Sequence, residues 1–347
     1  MAPTSTMLAV VTLVTIAVLA QFASLAEAAG SMRGVEEIQS ITNSLEANTK
    51  VGPIPTTTLS NGVEMPMMGL GTWEYNNSVA YGATLTALKV GYTHVDTATI
   101  YGNHKGVGEA ISTWRKSNGG IRENLFVTTK IPGGLNYSAS QDALEASLED
   151  LGLDYVDLML MHFPAGMDGS SSPEIRIAGY KAIIDFYKAG KARAIGVSHF
   201  CKRHILELMH AGLMVPHVNQ VEFHVGMGNA GPNATDDREF DNMVGTLYES
   251  FSPLCGPCNT MELITGELVT SIGKKYGKSG AQVSLKWQVQ QGIPVIPKSD
   301  NEEHIIANAQ LFDWELSAED MVALTQAKSP PVTGGGDNLT SGDCAIP

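Results

Sequence analysis

Leu125-Phe126-Val127-Thr128-Thr129-Lys130 is a short apolar and β-branched run that stops on a charge. An amphipathic stretch from Ala139 to Leu151 follows, then a second run from Tyr155 to Met161 that stops at His162. A helical stretch over Ala178 to Ala189 leads to a third run, Arg193-Ala194-Ile195-Gly196-Val197. Strands this continuously apolar are covered on both faces, and strands separated by helices pair in parallel.

The same alternation extends both ways. Upstream, strands are expected at Pro66-Met67-Met68-Gly69-Leu70 and Thr93-His94-Val95-Asp96, with helices at Ala80 to Val90 and Val107 to Trp114. Downstream come a helix at Arg203 to Met209, a strand at His217 to Phe223 and a helix near Phe240 to Tyr248. A weak strand at Phe251 to Leu254, a helix at Gln282 to Gln290, a strand at Val295-Ile296-Pro297 and a helix at Glu302 to Gln310 complete the series. Eight strand–helix units favour closure into a (β/α)8 barrel of the TIM type over an open sheet. No Gly-x-Gly-x-x-Gly turn follows the first strand, which counts against a dinucleotide-binding doubly wound domain.

A single barrel typically needs about 250 residues, so the surplus of this 347-residue chain lies at its ends. Met7 to Ala20 is uncharged and apolar, too short for a comfortable membrane span, and Ala26-Glu27-Ala28 offers a small-x-small cleavage site. Residues 1–28 read as a cleaved signal peptide despite the absence of Lys or Arg ahead of the run. An uncleaved anchor or an organellar leader is the alternative. Residues 29–55 read as a linker, 56–328 as the barrel, and 329–347 as an irregular tail, Gly-rich from Gly334. The expected location is the secretory pathway, in the lumen or secreted, with no stable membrane insertion once the segment is removed. Sequons at Asn76, Asn136, Asn233 and Asn338 add weak support. Cys201 and Cys344 stand apart; Cys255-Gly256-Pro257-Cys258 has redox-motif spacing but reads as a chance pair in a loop. A formal net charge of −14 argues against nucleic acid and anionic membrane as partners.

Chemistry gathers at strand ends. Asp96 closes the second strand with Tyr101 just beyond it, Lys130 closes the third and His162 the fourth. Carboxyl ends of barrel strands converge on one mouth. There the Lys130 ammonium is expected to lower the pKa of the Tyr101 phenol, with Asp96 keeping Lys130 charged. His162 would hydrogen-bond a carbonyl oxygen. Such a site gives a proton to a carbonyl oxygen. With no flavin or metal motif in the sequence, the hydride source is expected to be a nicotinamide.

From about Thr58 to Lys328 the chain resembles the aldo-keto reductase family, motif after motif. The matches are Met68-Gly69-Leu70-Gly71-Thr72-Trp73, Val95-Asp96-Thr97-Ala98, Val127-Thr128-Thr129-Lys130 and Asp157 through Pro164. Ile195-Gly196-Val197-Ser198, Val218-Asn219-Gln220-Val221-Glu222 and Ile296-Pro297-Lys298-Ser299 continue them. The resemblance implies NAD(P)H-dependent reduction of an aldehyde or ketone, with Tyr101 as general acid and Asp96, Lys130 and His162 completing a tetrad. It places Ser198 and Gln220 on the nicotinamide carboxamide, His199 beside them among the cofactor-binding residues, and Phe251 against the ring. Gly71, Thr72, Ser252, Leu254 and Asn308 would also touch cofactor, and Trp73 and Phe163 substrate. Lys298, Ser299 and His304 would face the adenosine 2′-phosphate of NADPH. NADH is also expected to serve, because His304 stands where the family has Arg and Asp300 can accept from a 2′-hydroxyl. Further departures are His199 for Asn, Phe251 for Tyr and Phe163 for Trp. A monomer acting on a small carbonyl compound is expected, with no metal. A nicotinamide-binding regulatory subunit on the same barrel is the competing class; a glycosidase would want paired carboxylates at strand ends.

Overall fold

In a computed structural model the described residues are 51–166, 172–227 and 234–330. They lie almost wholly in the unit that begins at Ile54. The signal segment, most of the linker and the tail beyond residue 330 fall outside them, as do Asn233, Asn338 and Cys344.

The unit opens with an antiparallel hairpin, β1 (Thr56–Thr58) and β2 (Glu64–Pro66), that the strand alternation did not anticipate. Leu59 and Met65 of this hairpin pack against Phe126, Leu158, Ala194 and Val218, and so plug the N-terminal end of the barrel. The expected strand over residues 66–70 is therefore two pieces: the end of β2, and β3 (Leu70–Gly71).

From β3 the chain alternates: α1 (Asn77–Val90), β4 (His94–Asp96), α2 (His104–Asn118), β5 (Phe126–Ile131), α3 (Tyr137–Leu151) and β6 (Val156–Met161). Then come α4 (Pro173–Lys188), β7 (Ala192–Ser198), α5 (Lys202–His210), β8 (Val218–Glu222), α6 (Ala234–Val244) and β9 (Leu247–Phe251). Strands β3 to β9 form one sheet in sequence order, every pair parallel. All six residues of β5 and of β6 are buried, the polar Thr128, Thr129, Lys130 and Asp157 included, as strands covered on both faces require. Asp157, in the motif that ends at His162, is structural: it accepts from the Val127 amide and pairs with Arg122 and Arg193, each at 2.8 Å.

Closure falls to Val295, which bridges Met68 on one side and Ser250 on the other. The expected eighth strand is present only as these bridges. Pro294 and Pro297 flank it without an N–H to donate, so no longer ladder forms. After β9 the described chain adds α7 (Glu262–Thr265), α8 (Glu267–Tyr276), α9 (Gly280–Val289), α10 (Glu302–Ala309) and α11 (Ala318–Gln326). No helix among the described residues is long and apolar enough to cross a membrane.

Two expectations are corrected at β9. The helix near Phe240 to Tyr248 ends at Val244, because Gly245 turns the chain through φ 82°. The strand expected at Phe251 to Leu254 lies earlier, at Leu247–Phe251, and Ser252 at φ 47° ends it. Asn76 and Asn136, both at sequons, are the N-caps of α1 and α3, accepting from the Val79 and Ala139 amides.

Candidate active site

The carboxyl ends of β4, β5 and β6 bring three of the expected groups together, and the turn after β4 supplies the fourth. Lys130 Nζ donates to Asp96 Oδ1 at 2.5 Å, to the Thr97 carbonyl at 3.1 Å and to the Tyr101 hydroxyl at 3.3 Å. Asp96 and Lys130 are each only 1% exposed, whereas Tyr101 reaches the surface of a cavity of about 770 Å³. His162 lines the same cavity, its ring 5.6 Å from that of Tyr101 and nearly perpendicular to it.

Burial would push the Lys130 ammonium down, but Asp96 and Tyr101 reverse this, and its pKa lies above the usual lysine range. Burial pushes the Tyr101 hydroxyl up to about 12, against the downward pull of Lys130. The net lowering expected from the sequence is thus corrected: Lys130 acts in the expected direction, but loss of water costs the phenolate more. A hydroxyl in this position holds its proton until an acceptor arrives. Burial, with Lys130 and His199, keeps His162 well below its ordinary pKa, so the ring is neutral. His162 Nδ1 is buried without a hydrogen-bond partner. A proton on Nε2 therefore leaves only a lone pair stranded and makes Nε2 the donor available to the cavity.

The neighbouring barrel strands add a group that sequence reasoning missed. Gln220 Nε2 donates at 2.9 Å to Asp96 Oδ2 and at 2.9 Å to Glu249 Oε2. Glu249, on β9, is wholly buried, and its Oε1 has no partner. Burial and then the Asp96 charge raise its pKa to about 8, so it is protonated at neutral pH. Assigning Tyr248 to a helix had hidden it; an acidic residue midway along an apolar strand was the available signal.

Gly71, Thr72, Trp73, Phe163, His199, Phe251, Ser252, Leu254 and Lys298 line the cavity together with Asp96 and Gln220. Ser198 lies buried behind them, its hydroxyl donating to the Gln220 carbonyl at 2.7 Å. Ser299, His304 and Asn308 do not line it. Ser299 Oγ accepts from the Asn301 amide, His304 stands exposed on α10, and Asn308 is buried in that helix. Lys298 Nζ is held by Glu74 at 2.8 Å.

Three of the departures from the family pattern, Phe163, His199 and Phe251, meet one another. The His199 ring lies 4.5 Å from Phe163 and 4.7 Å from Phe251, and Phe163 stacks on His162 at 4.3 Å. His199 holds φ 60°, a left-handed conformation that Asn and His tolerate better than bulkier residues. Its Nδ1 lies 3.0 Å from the His162 carbonyl and from Ser198 Oγ, and burial brings its pKa down to about 3. The ring is neutral and pinned into an aromatic wall.

Cys255 and Cys258 are joined, and no described cysteine is a free thiol, so the reading of a chance loop pair is corrected. The residues between and after them, Gly256, Pro257, Asn259, Thr260 and Met261, also line the cavity. The sequence reading gave these residues no part in the site.

Fold and site together define a barrel enzyme equipped to hand a proton to an oxygen atom at the mouth of an apolar cavity. Comparison with known proteins identifies the family. Residues 67–239 and 229–329 match the sequence pattern of the aldo/keto reductase family. The chain is 42% identical over 270 residues to a glyoxal reductase of Bacillus subtilis, covering 77% of this chain and 90% of that protein. It superposes with TM-score 0.72 on an aldo-keto reductase from a Medee basin deep-sea metagenome library, 35% identical, over 82% of this chain and 99% of that one. A Bombyx mori aldo-keto reductase in complex with NADP gives TM-score 0.74 at 29% identity, over 83% and 97% of the two chains. The chain belongs to the aldo/keto reductase family.

Proposed function

We propose that this protein reduces the carbonyl group of small aldehydes and ketones, using NADPH ahead of NADH, as a monomer within the secretory pathway. The observation that carries the reaction is Lys130 Nζ held between Asp96 and the Tyr101 hydroxyl, with Tyr101 and His162 facing one cavity.

The residues present fit a nicotinamide cofactor. Both amide protons of Gln220 are committed, to the Asp96 carboxylate and to the carboxyl oxygen of Glu249, which leaves Oε1 to accept from a carboxamide. Phe251 offers an aromatic face, and Lys298 stands at the rim for a phosphate. When bound, reduced nicotinamide supplies the hydride for the carbonyl carbon. Tyr101 gives its proton to the carbonyl oxygen, and the Lys130 ammonium stabilises the phenolate left behind. Asp96 keeps Lys130 charged and aimed. The neutral His162 ring orients the oxygen through Nε2–H. Trp73, Phe163 and the half-exposed Ile100 give the substrate an apolar approach, which suits small carbonyl compounds.

The test is consumption of reduced cofactor with a panel of aldehydes. Tyr101→Phe should lose about 10²–10⁴ in kcat while binding cofactor as before, the usual cost of removing a general acid. Activity within tenfold of the parent would assign the proton to another group. The secretory reading is supported by the Met7 to Ala20 segment, by the exposed sequon residues Asn76 and Asn136, and by the Cys255–Cys258 bridge. Intact mass of the native protein should place its start near Ala29; retention of residues 1–28 would overturn that part.

A further inference from the structure

The loop between β9 and α7 carries chemistry that carbonyl reduction does not use. Cys255 and Cys258 are bonded, with Cα atoms 5.3 Å apart, and Gly256 and Pro257 between them form part of the cavity wall. Cys255 is fully buried in a cluster with Val221, Phe223 and Leu263, whereas Cys258 is partly exposed. A thiolate from solution therefore reaches only the Cys258 sulfur. Beside it lies His224, whose Nε2 is 4.0 Å from Cys258 Sγ. His224 Nδ1 lies 2.8 Å from the Val225 carbonyl and carries the proton there, so Nε2 presents a lone pair towards the sulfur. Glu222, another cavity residue, approaches the same nitrogen at 3.8 Å.

The loop is also conformationally loaded. Ser252, Cys255 and Asn259 all hold positive φ, at 47°, 51° and 52°, and none is glycine. Ser and Cys rarely adopt this conformation, which persists only where the surroundings hold it, whereas Asn tolerates it. Two backbone hydrogen bonds, Cys255 N–H to Ser252 O and Cys258 N–H to Cys255 O, and the bridge itself supply that hold.

We propose that Cys255–Cys258 is a reversible thiol–disulfide site, opened by a glutathione-class thiol and closed by its disulfide, that sets how firmly this loop grips the cofactor. In opening, the attacking thiolate forms a bond to Cys258 Sγ, the Cys255–Cys258 bond breaks, and Cys255 leaves as a thiolate that takes up a proton. A second thiol then displaces the small molecule from Cys258 as a disulfide. The protein gains two electrons and the two thiols lose them. Closing is the reverse, with His224 Nε2 taking the Cys258 proton so that the sulfur attacks as a thiolate. The bridged loop holds its strained shape against the cavity; the opened loop relaxes away from it.

The proposal rests on the reductase reading only through its cofactor probe, so two readouts are needed. The mature protein is prepared oxidised and reduced, with the state of the pair checked by thiol alkylation and mass. NADPH affinity, read by quenching of tryptophan fluorescence, should weaken about tenfold on reduction, or 1.4 kcal/mol. Cys258→Ser should bind like the reduced form and ignore redox treatment, with Cys255→Ser as the second variant should the first not fold. Hydrogen exchange across residues 252–260, measured without cofactor, should quicken on reduction. Equal affinity in both states overturns the grip. Unchanged loop exchange overturns the site itself, even if NADPH binds neither form and the cofactor reading has failed. Stoichiometric zinc held by the reduced protein through His224, Cys255 and Cys258 would also overturn it, in favour of a metal site.

Discussion

Glu249 is a carboxyl buried without a cation of its own, one amide away from the carboxylate that anchors Lys130. Folding raises its pKa from 4.5 to about 8, so between those values the folded state holds a proton that the unfolded state releases. Stability contributed by the protonated form is complete below 4.5 and falls as pH rises to 8, since the slope follows protons bound unfolded minus folded. Glu249→Gln should flatten that decline in urea melts taken across this range; an unchanged slope would show that the carboxyl is already ionised. Glu74 acts at the rim, where it holds Lys298. An exposed pair is worth about 0–1 kcal/mol, so Glu74→Gln should raise the ratio of NADPH to NADH affinity, by at most about fivefold. An unchanged or lower ratio would show that Lys298 does not meet the 2′-phosphate. The tetrad residues were legible because each ends an apolar run or follows it directly. Glu249 was not, nor was the contact of Phe163, His199 and Phe251, because strand neighbours in space lie tens of residues apart in sequence.

Elements were legible where strand and helix chemistry agree. Residues 126–131 and 156–161 are mostly apolar or β-branched and bounded by helices with clear caps, and both read true. The hairpin β1–β2 went unread because three-residue strands carry no periodicity, and β9 because Tyr248 and Glu249 suit a helix face as well as a strand. Helix α2 shows a constraint that periodicity cannot express. It is pressed against its neighbours at Gly106 and Gly108, where a Cβ would run into the Asn77 and Leu151 carbonyls. Ala normally favours a helix by about 1 kcal/mol over Gly. Here Gly108→Ala should instead destabilise by about 1–3 kcal/mol, the range for overpacking, seen as a lowered urea midpoint with an unchanged slope. A raised midpoint would mean that α2 can slide away from the end of α3.

At the scale of the molecule the barrel is uneven around its circumference. The β6–β7 pair has five partnered positions, whereas the seam has Val295 alone on each side. Its hydrogen bonds are the amides of Gly69 and Gly71 to the Val295 and Pro297 carbonyls, with Val295 and Ile296 donating to Met67 and Ser250 and Ser250 to Pro294. The candidate cavity straddles this seam, with Gly71 and Thr72 on one side, Ile296 to Lys298 beyond it, and Phe251 on the next strand. A ligand touching all three adds a restraint that the shortened strand lacks. Cofactor at a hundred times its Kd stabilises a folded protein by about 2.7 kcal/mol, which for a barrel of this size is a rise in Tm of about 5–10 °C. The location of that gain is the sharper expectation. Amide exchange at Gly69, Gly71 and Ile296 should slow on cofactor binding far more than exchange in β6, whose ladder is already complete. Protection spread evenly over all strands would show that the seam is closed without help, and that the two prolines cost the barrel nothing.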